Sequence, residues 1–316
     1  MSDSLQSAPA PGTPVHEPLA HGTLETPSGK SAADENFPVG SWLIRADLRR
    51  HVHTFYAFAR GADDVADNPD LAPDDKVARL TRMGEIILGR GNRATEEAES
   101  LACVRMRASL AETKVTPQHC LDLLQAFIQD ANKARYRDWD DLLGYCFLSA
   151  SPVGRQLLDL HGEGAACRPG ADALCNALQV INHLQDCAED YKALDRVYLP
   201  TGYMAEEGAE IADLARPALT PAMRRVLDRT IAPLEGLLAA CADLVMQVDD
   251  VRIALECQVI RALAARLTRR LKNEDPIATR VELSKPVAGG LALGALASGL
   301  WRRRARPAPR PAALQS

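Results

Sequence analysis

Tyr56-Ala57-Phe58-Ala59-Arg60-Gly61-Ala62-Asp63-Asp64-Val65-Ala66-Asp67 decides how the rest of this chain reads. At about 100° per residue of an α-helix, Tyr56, Arg60, Asp63 and Asp67 fall within an arc of roughly 60°. Asp64 lies just outside that arc, and Ala57, Phe58 and Val65 face elsewhere. Two carboxylates one turn apart can hold a hard divalent cation, with water or phosphate oxygens completing its shell. Arg60 adds a planar fork of donors that matches phosphate. The same residues could equally form a solvated face with an Arg–Asp pair, which contributes only tenths of a kcal/mol.

A second acidic stretch tips the balance. Asn182-His183-Leu184-Gln185-Asp186-Cys187-Ala188-Glu189-Asp190 places Asn182, Asp186 and Asp190 one turn apart in succession, with Glu189 on the same side. Ala177, Leu184, Cys187 and Tyr191 take the opposite face. One D-x-x-x-D pair on a helix is a weak signal, and two in one helical chain are a stronger one. Facing carboxylates in a bundle repel unless a cation lies between them. The donors are all oxygens, which points to Mg²⁺ rather than zinc. A diphosphate held between two such helices would have its charge neutralised and become a leaving group.

The remaining sequence is helical in pattern. Leu48, His51, Phe55 and Phe58 lead into the first stretch, and Asn68-Pro69-Asp70 ends it. Helices are expected over Asp74–Leu88, Glu96–Ala111, from Thr116-Pro117 to Asn132, and over Trp139–Leu160 with a kink at Ser151–Gly154. Others follow over Ala171–Lys192, Thr220–Val248 and Val251–Leu271. No stretch alternates with period two. Residues 1–34 are rich in Pro, Ser, Ala and Gly and read as a disordered leader without core-forming residues. Residues 35–300 read as one helical domain and 301–316 as a basic Pro/Arg tail. Pro286–Trp301 is apolar but short for a membrane span. It reads as a core or surface helix, with the basic tail suited to an anionic membrane surface.

Composition narrows the function further. The 316 residues carry a net charge of −5, so nucleic acid is not the expected partner. The eight cysteines lack C-x-x-C spacing and read as small hydrophobes in a reducing compartment. No basic and apolar secretory signal opens the chain, so the expected location is cytoplasmic, at most peripheral to the inner membrane face. No glycine-rich nucleotide loop is evident. His183, pointing away from Asn182, reads as a packing residue, and so do His51 and His53.

Residues 55–67 resemble the first acidic signature of the squalene/phytoene synthases. Leu178–Asp190 with Arg196-Val197-Tyr198-Leu199-Pro200 resembles their second, and Tyr145-Cys146 with Pro152-Val153-Gly154 resembles the signature between them. The likeness runs from about Glu35 to Leu271. It implies an all-α, class I isoprenoid synthase fold, a single bundle around a central cavity. By matching positions it implies that Asp63, Asp67, Asp186 and Asp190 bind Mg²⁺. Tyr56, Arg60, Asn182 and Tyr198 would touch diphosphate or metal-bound water, and Tyr145 would line the pocket near the reacting carbons.

Two departures from the condensing members of that family stand out. Gln185 occupies the place of their arginine, and Asn36-Phe37-Pro38 that of their Ser-Phe-Tyr. A bacterial subfamily matches better, with Glu-Asn-Phe-Pro at the start, Leu-Gln-Asp in the second signature, and the pattern of Ser149–Gly154. Its members convert presqualene diphosphate to hydroxysqualene on the route to hopanoids, with water as the final nucleophile. The expected partners are therefore a prenyl diphosphate substrate, an enzyme that supplies presqualene diphosphate and one that reduces hydroxysqualene. Two alternatives stay open: head-to-head condensation of two prenyl diphosphates, and a non-catalytic helical assembly factor.

Overall fold

The computed structural model describes residues 23–24, 43–92 and 94–305. Among them the helices are α1 (Arg49–Asp67), α2 (Pro73–Ile87), α3 (Glu96–Glu99), α4 (Leu101–Thr113), α5 (Gln118–Asn132), α6 (Trp139–Ser149) and α7 (Ser151–Leu160). They continue as α8 (Arg168–Gln185), α9 (Cys187–Leu194), α10 (Thr201–Glu207), α11 (Pro221–Ala240), α12 (Leu244–Gln247), α13 (Val251–Leu271) and α14 (Lys285–Arg304). The extended pairing seen is one isolated parallel bridge between Arg135 and Val197, which holds the segment before α6 against the segment after α9. The expected all-α class is observed.

Boundaries follow local chemistry. Asn68 turns extended (ψ 118°) before Pro69, which ends α1 where the sequence places the end. The single helix expected over Glu96–Ala111 divides at Ser100, whose hydroxyl accepts the Cys103 N–H at 3.2 Å and caps α4. Pro152 does not kink a continuous helix. It sits in the first turn of α7, where its missing N–H would be unpaired anyway, and the break falls at Ala150. The helix expected over Ala171–Lys192 starts three residues earlier, at Arg168, and bends at Asp186 (φ −103°, ψ 9°). Backbone bonds from Asp186 N–H to Asn182 O and from Asp190 N–H to Asp186 O run through the bend, so the one-turn register of the acidic residues survives. Thr220–Val248 breaks after Ala240 into α11 and α12.

Two hydrophobic cores fill the molecule. One gathers α1, α2, α4 and α5 around Phe58, Leu80, Met83 and Met106. The other gathers α6 and α8 to α13 around Tyr136, Ile181, Leu227, Ile231 and Leu271. Leu24, in the stretch expected to lack core-forming residues, is buried in the first core. Its N–H donates to Glu99 O at 2.7 Å, and Arg79 donates to the carbonyls of Thr23 and Leu24. The other leader residues, and the expected start of order at Glu35–Pro38, lie outside the described residues.

The C-terminal helix α14 packs on α13, with Gly299 against Leu255, and extends through Arg304. Arg302 donates to Ala242 O and pairs with Asp243, while Arg303 caps the carbonyls of Val245, Val248 and Asp249. These two residues of the expected basic tail are therefore bound to the end of α12. Residues 306–316 lie outside the described residues.

Candidate active site

The two acidic signatures converge. On α1, Arg60 is forked between Asp63 (3.0 Å) and the buried Asp64 (2.7 Å), which explains why Asp64 faces inward from the polar arc. Burial, then the neighbouring Asp67, pushes the Asp63 carboxyl up to about 7 against the pull of Arg60. At the end of α1, Asp67 is held by Arg196 at 2.6 Å, and Arg196 also donates to Ala66 O. Across the gap, burial and the charges of Asp186 and Asp67 push Asp190 up to about 7. Carboxylates from both motifs thus act on one another directly.

Asp186 sits at the α8–α9 bend, gripped by both arms of Arg280 at 2.6 and 3.1 Å. Next to it, the buried Gln185 amide donates to Val281 O at 2.5 Å and fastens the 280–281 segment to the second motif. The cation lacking at position 185 is therefore supplied by Arg280, 95 residues later.

Behind the carboxylates lies a layer that the sequence reading did not assign. Asp130, on α5, accepts from Tyr145 Oη at 2.6 Å and Tyr198 Oη at 3.2 Å. Burial raises its carboxyl to about 6, opposed by Arg196. Arg196 is itself buried, which disfavours its charge, but Asp130, Tyr198 and Asp67 outweigh that and hold it firmly protonated. His183 stacks on Tyr198 with ring centroids 3.6 Å apart, and Tyr136 and Tyr145 complete the aromatic layer. Burial, then Arg196, lowers His183 to about 3, so it is neutral and packs, as its direction on the helix suggests.

A cavity of about 360 Å³ opens beside this layer. Its lining includes Tyr56 and Asn182, one from each motif, with Gln179 a turn before Asn182. Val52, Phe55, Leu157, Leu160, Leu174, Ile253 and Ile260 make an apolar wall. Gly154 is required there: a Cβ would lie 2.6 Å from Cys175 Sγ on the facing helix.

The structure brings Asp63, Asp67, Asp186, Asp190 and Arg60 into one charged cluster, while Tyr56 and Asn182, from the same two motifs, line the cavity. It places Tyr145 and Tyr198 differently, behind the cavity lining with their hydroxyls committed to Asp130. Sequence reasoning missed Asp130, Arg196 and Arg280. An aspartate inside the apolar run Phe127–Asp130 was a usable signal for the first. Arg196 stood inside the quoted second signature without a role, and nothing local marked Arg280. As a test of fit for a metal, the donors are carboxylates that burial, then the charge of neighbouring carboxylates, pushes toward protonation. Among the described residues no three acidic, His or Cys side chains converge into a closed site. That suits a hard ion taking few protein ligands and filling its shell from a phosphate.

The family model described as squalene/phytoene synthase matches residues 30–287. The chain is 42% identical over 293 residues to a hydroxysqualene synthase of Rhodopseudomonas palustris, covering 90% of this chain and 98% of the relative. A hydroxysqualene synthase of Sinorhizobium fredii is 41% identical, covering 85% and 90%. Among solved structures, squalene synthase HpnC of Alicyclobacillus acidocaldarius superposes with a TM-score of 0.64 at 29% identity, covering 74% of this chain and 86% of that one. A dehydrosqualene synthase superposes with a TM-score of 0.69 at 20% identity, a likeness of fold, covering 85% and 93%.

Proposed function

Because the chain belongs to the squalene/phytoene synthase family, we propose that it converts presqualene diphosphate to hydroxysqualene in hopanoid biosynthesis. The supporting observation is that two acidic motifs meet one another and each lends a residue, Tyr56 or Asn182, to the lining of one apolar cavity. A substrate with one diphosphate and long hydrocarbon arms has the polarity that this arrangement accepts. Relatives named hydroxysqualene synthase, matched over nine-tenths of their length or more, favour this reaction over condensation. Arg280 makes the count of cations a poor discriminator by itself.

Asp63 and Asp67 on one side and Asp186 and Asp190 on the other are the residues that would hold Mg²⁺. Bound there, Mg²⁺ supplies the charge neutralisation that makes diphosphate a good leaving group. Arg60, Arg196 and Arg280 already pair with these carboxylates and stand ready to turn toward phosphate oxygens. Tyr56 and Asn182 orient the diphosphate at the mouth. Tyr145 and Tyr198 position Asp130, which fixes the Arg196 guanidinium. The apolar wall keeps bulk water from the cation while it rearranges.

An enzyme that makes presqualene diphosphate supplies the substrate, and a reductase consumes the alcohol. Helix α14 exposes Val287, Leu293, Leu300 and Trp301 beside Arg304. That surface supports a peripheral seat on an anionic inner-membrane face, reached from the cytoplasmic side. Pro221–Gln247 is long and apolar enough to cross a membrane, but it supplies Val226, Leu227, Ile231 and Leu234 to the core and belongs to the bundle.

Incubating the purified protein with Mg²⁺ and either presqualene diphosphate or farnesyl diphosphate tests the assignment. Hydroxysqualene from the former, without a nicotinamide cofactor, is expected. Efficient conversion of farnesyl diphosphate alone to presqualene diphosphate would replace it with the condensing reaction.

A further inference from the structure

Hydration of a carbocation in an apolar cavity needs one water held where bulk water is excluded. A buried water persists where two to four polar groups receive it. The wall built by α6 and α7 offers such groups. Gln156 is 1% exposed, and neither its amide nitrogen nor its amide oxygen has a hydrogen-bond partner. Ser149 Oγ is buried and unpartnered as well. Both residues belong to the cavity lining. Burying an unpaired amide is costly, so an apolar side chain at position 156 would give a more stable wall.

Neighbouring contacts fix where these groups stand. Ser151 Oγ meets Asn176 Oδ1 at 3.0 Å, and Arg155 clasps Asp172 at 2.7 and 2.8 Å, so α7 runs antiparallel beside α8. Ser149, at the end of α6, is then level with the turn just below Asn182. Gln156 follows on α7, past the break at Ala150, and both residues line the one cavity. One water making two hydrogen bonds spans about 5–6 Å between its partners.

We propose that Ser149 and Gln156 hold the water that captures the rearranged cation, an inference that rests on the hydroxysqualene-forming reading. The C–O bond to diphosphate breaks and its electron pair leaves with the diphosphate. After rearrangement, a lone pair of the held water forms the new C–O bond, and the surplus proton passes to the departed diphosphate. No oxidant or reductant is consumed. With that water displaced, the same cation loses a proton instead and yields a hydrocarbon polyene. Ser149 and Gln156 are positioning residues whose signature is the product ratio rather than the rate.

The test uses the full chain with presqualene diphosphate and Mg²⁺ in ¹⁸O-water, with products separated by gas chromatography and mass spectrometry. The unaltered protein is expected to give labelled hydroxysqualene. Ser149→Ala and Gln156→Leu should each lower the alcohol-to-hydrocarbon ratio by about tenfold, the double variant by more, and Ser149→Thr should restore it. Unchanged ratios in Ser149→Ala and Gln156→Leu would overturn the proposal. Absence of hydroxysqualene from the unaltered protein would instead overturn the reading on which it rests. Should Gln156→Leu fail to fold, Ser149→Ala decides alone, since it removes a single oxygen from the wall.

Discussion

Asp63→Asn is expected to make the metal-free protein more stable while abolishing most of its turnover. Raising this carboxyl from its ordinary 3.8 to about 7 corresponds to about 4 kcal/mol at full effect, at about 1.36 kcal/mol per tenfold. The Asp63 side chain keeps 34% of its surface exposed, so solvent screening reduces this to about 1–2 kcal/mol. Its native pKa lies above its unfolded one, so the native state binds more protons between about pH 4 and 7. The stabilising contribution of that proton is complete below pH 4 and is lost as pH rises through 7. Asparagine keeps the oxygen that faces Arg60 and removes the charge that repels Asp67. In urea unfolding with EDTA, Asp63→Asn should exceed the unaltered protein by about 1–2 kcal/mol at pH 8. That advantage should shrink to less than half by pH 5, where the native aspartate is already protonated. Mg²⁺ with inorganic diphosphate should stabilise the unaltered protein far more than the variant. A variant less stable at pH 8, or a gap that does not change with pH, would refute the electrostatic reasoning.

Other expectations concern the scaffold and its surroundings. Leu24→Ala should lower unfolding stability by about 2–3 kcal/mol, read by urea denaturation, because Leu24 fills the first core. Gly202→Ala should destabilise by about 1–3 kcal/mol, since its Cβ would stand 2.8 Å from the Arg137 carbonyl oxygen and no side chain can yield there. Leu293→Glu with Trp301→Glu should cut binding to anionic phospholipid vesicles by about tenfold, measured by sedimentation. Equal sedimentation of the two proteins would remove the membrane-facing role of α14.

The elements that repeat with helical period were legible. Val251–Leu271 appears with its expected ends, and Pro69 stops α1 where a pre-proline residue must leave the helix. Breaks were harder, because Ser100 and Asp186 are compatible with helix and end it only through capping or a bend set by tertiary packing. The acidic mouth was legible because each half repeats at one-turn spacing. Its counter-charges were not. Arg280 reaches Asp186 across 94 positions, and Arg196 reaches Asp67 across 129, so no window of sequence contains either pair. Tyr145 was identified as important from its motif, yet its hydroxyl points at Asp130, a partner 15 residues away on a different helix.

The cavity lies along the seam between the two cores, with Phe55 and Leu160 contributed by one and Ile44, Leu174 and Ile253 by the other. A bound hydrocarbon therefore completes an interior that the chain alone leaves divided. Substrate carries a charged headgroup that the arginines of the acidic cluster can hold while the hydrocarbon enters. Product has lost that handle: an uncharged alcohol must part the two halves and cross a polar rim with nothing to pull it. Each cycle thus binds with an electrostatic lead and releases without one. Product escape is expected to set the pace after the first turnover, and a rapid-mixing experiment should show a burst that an acceptor bilayer converts into steady turnover.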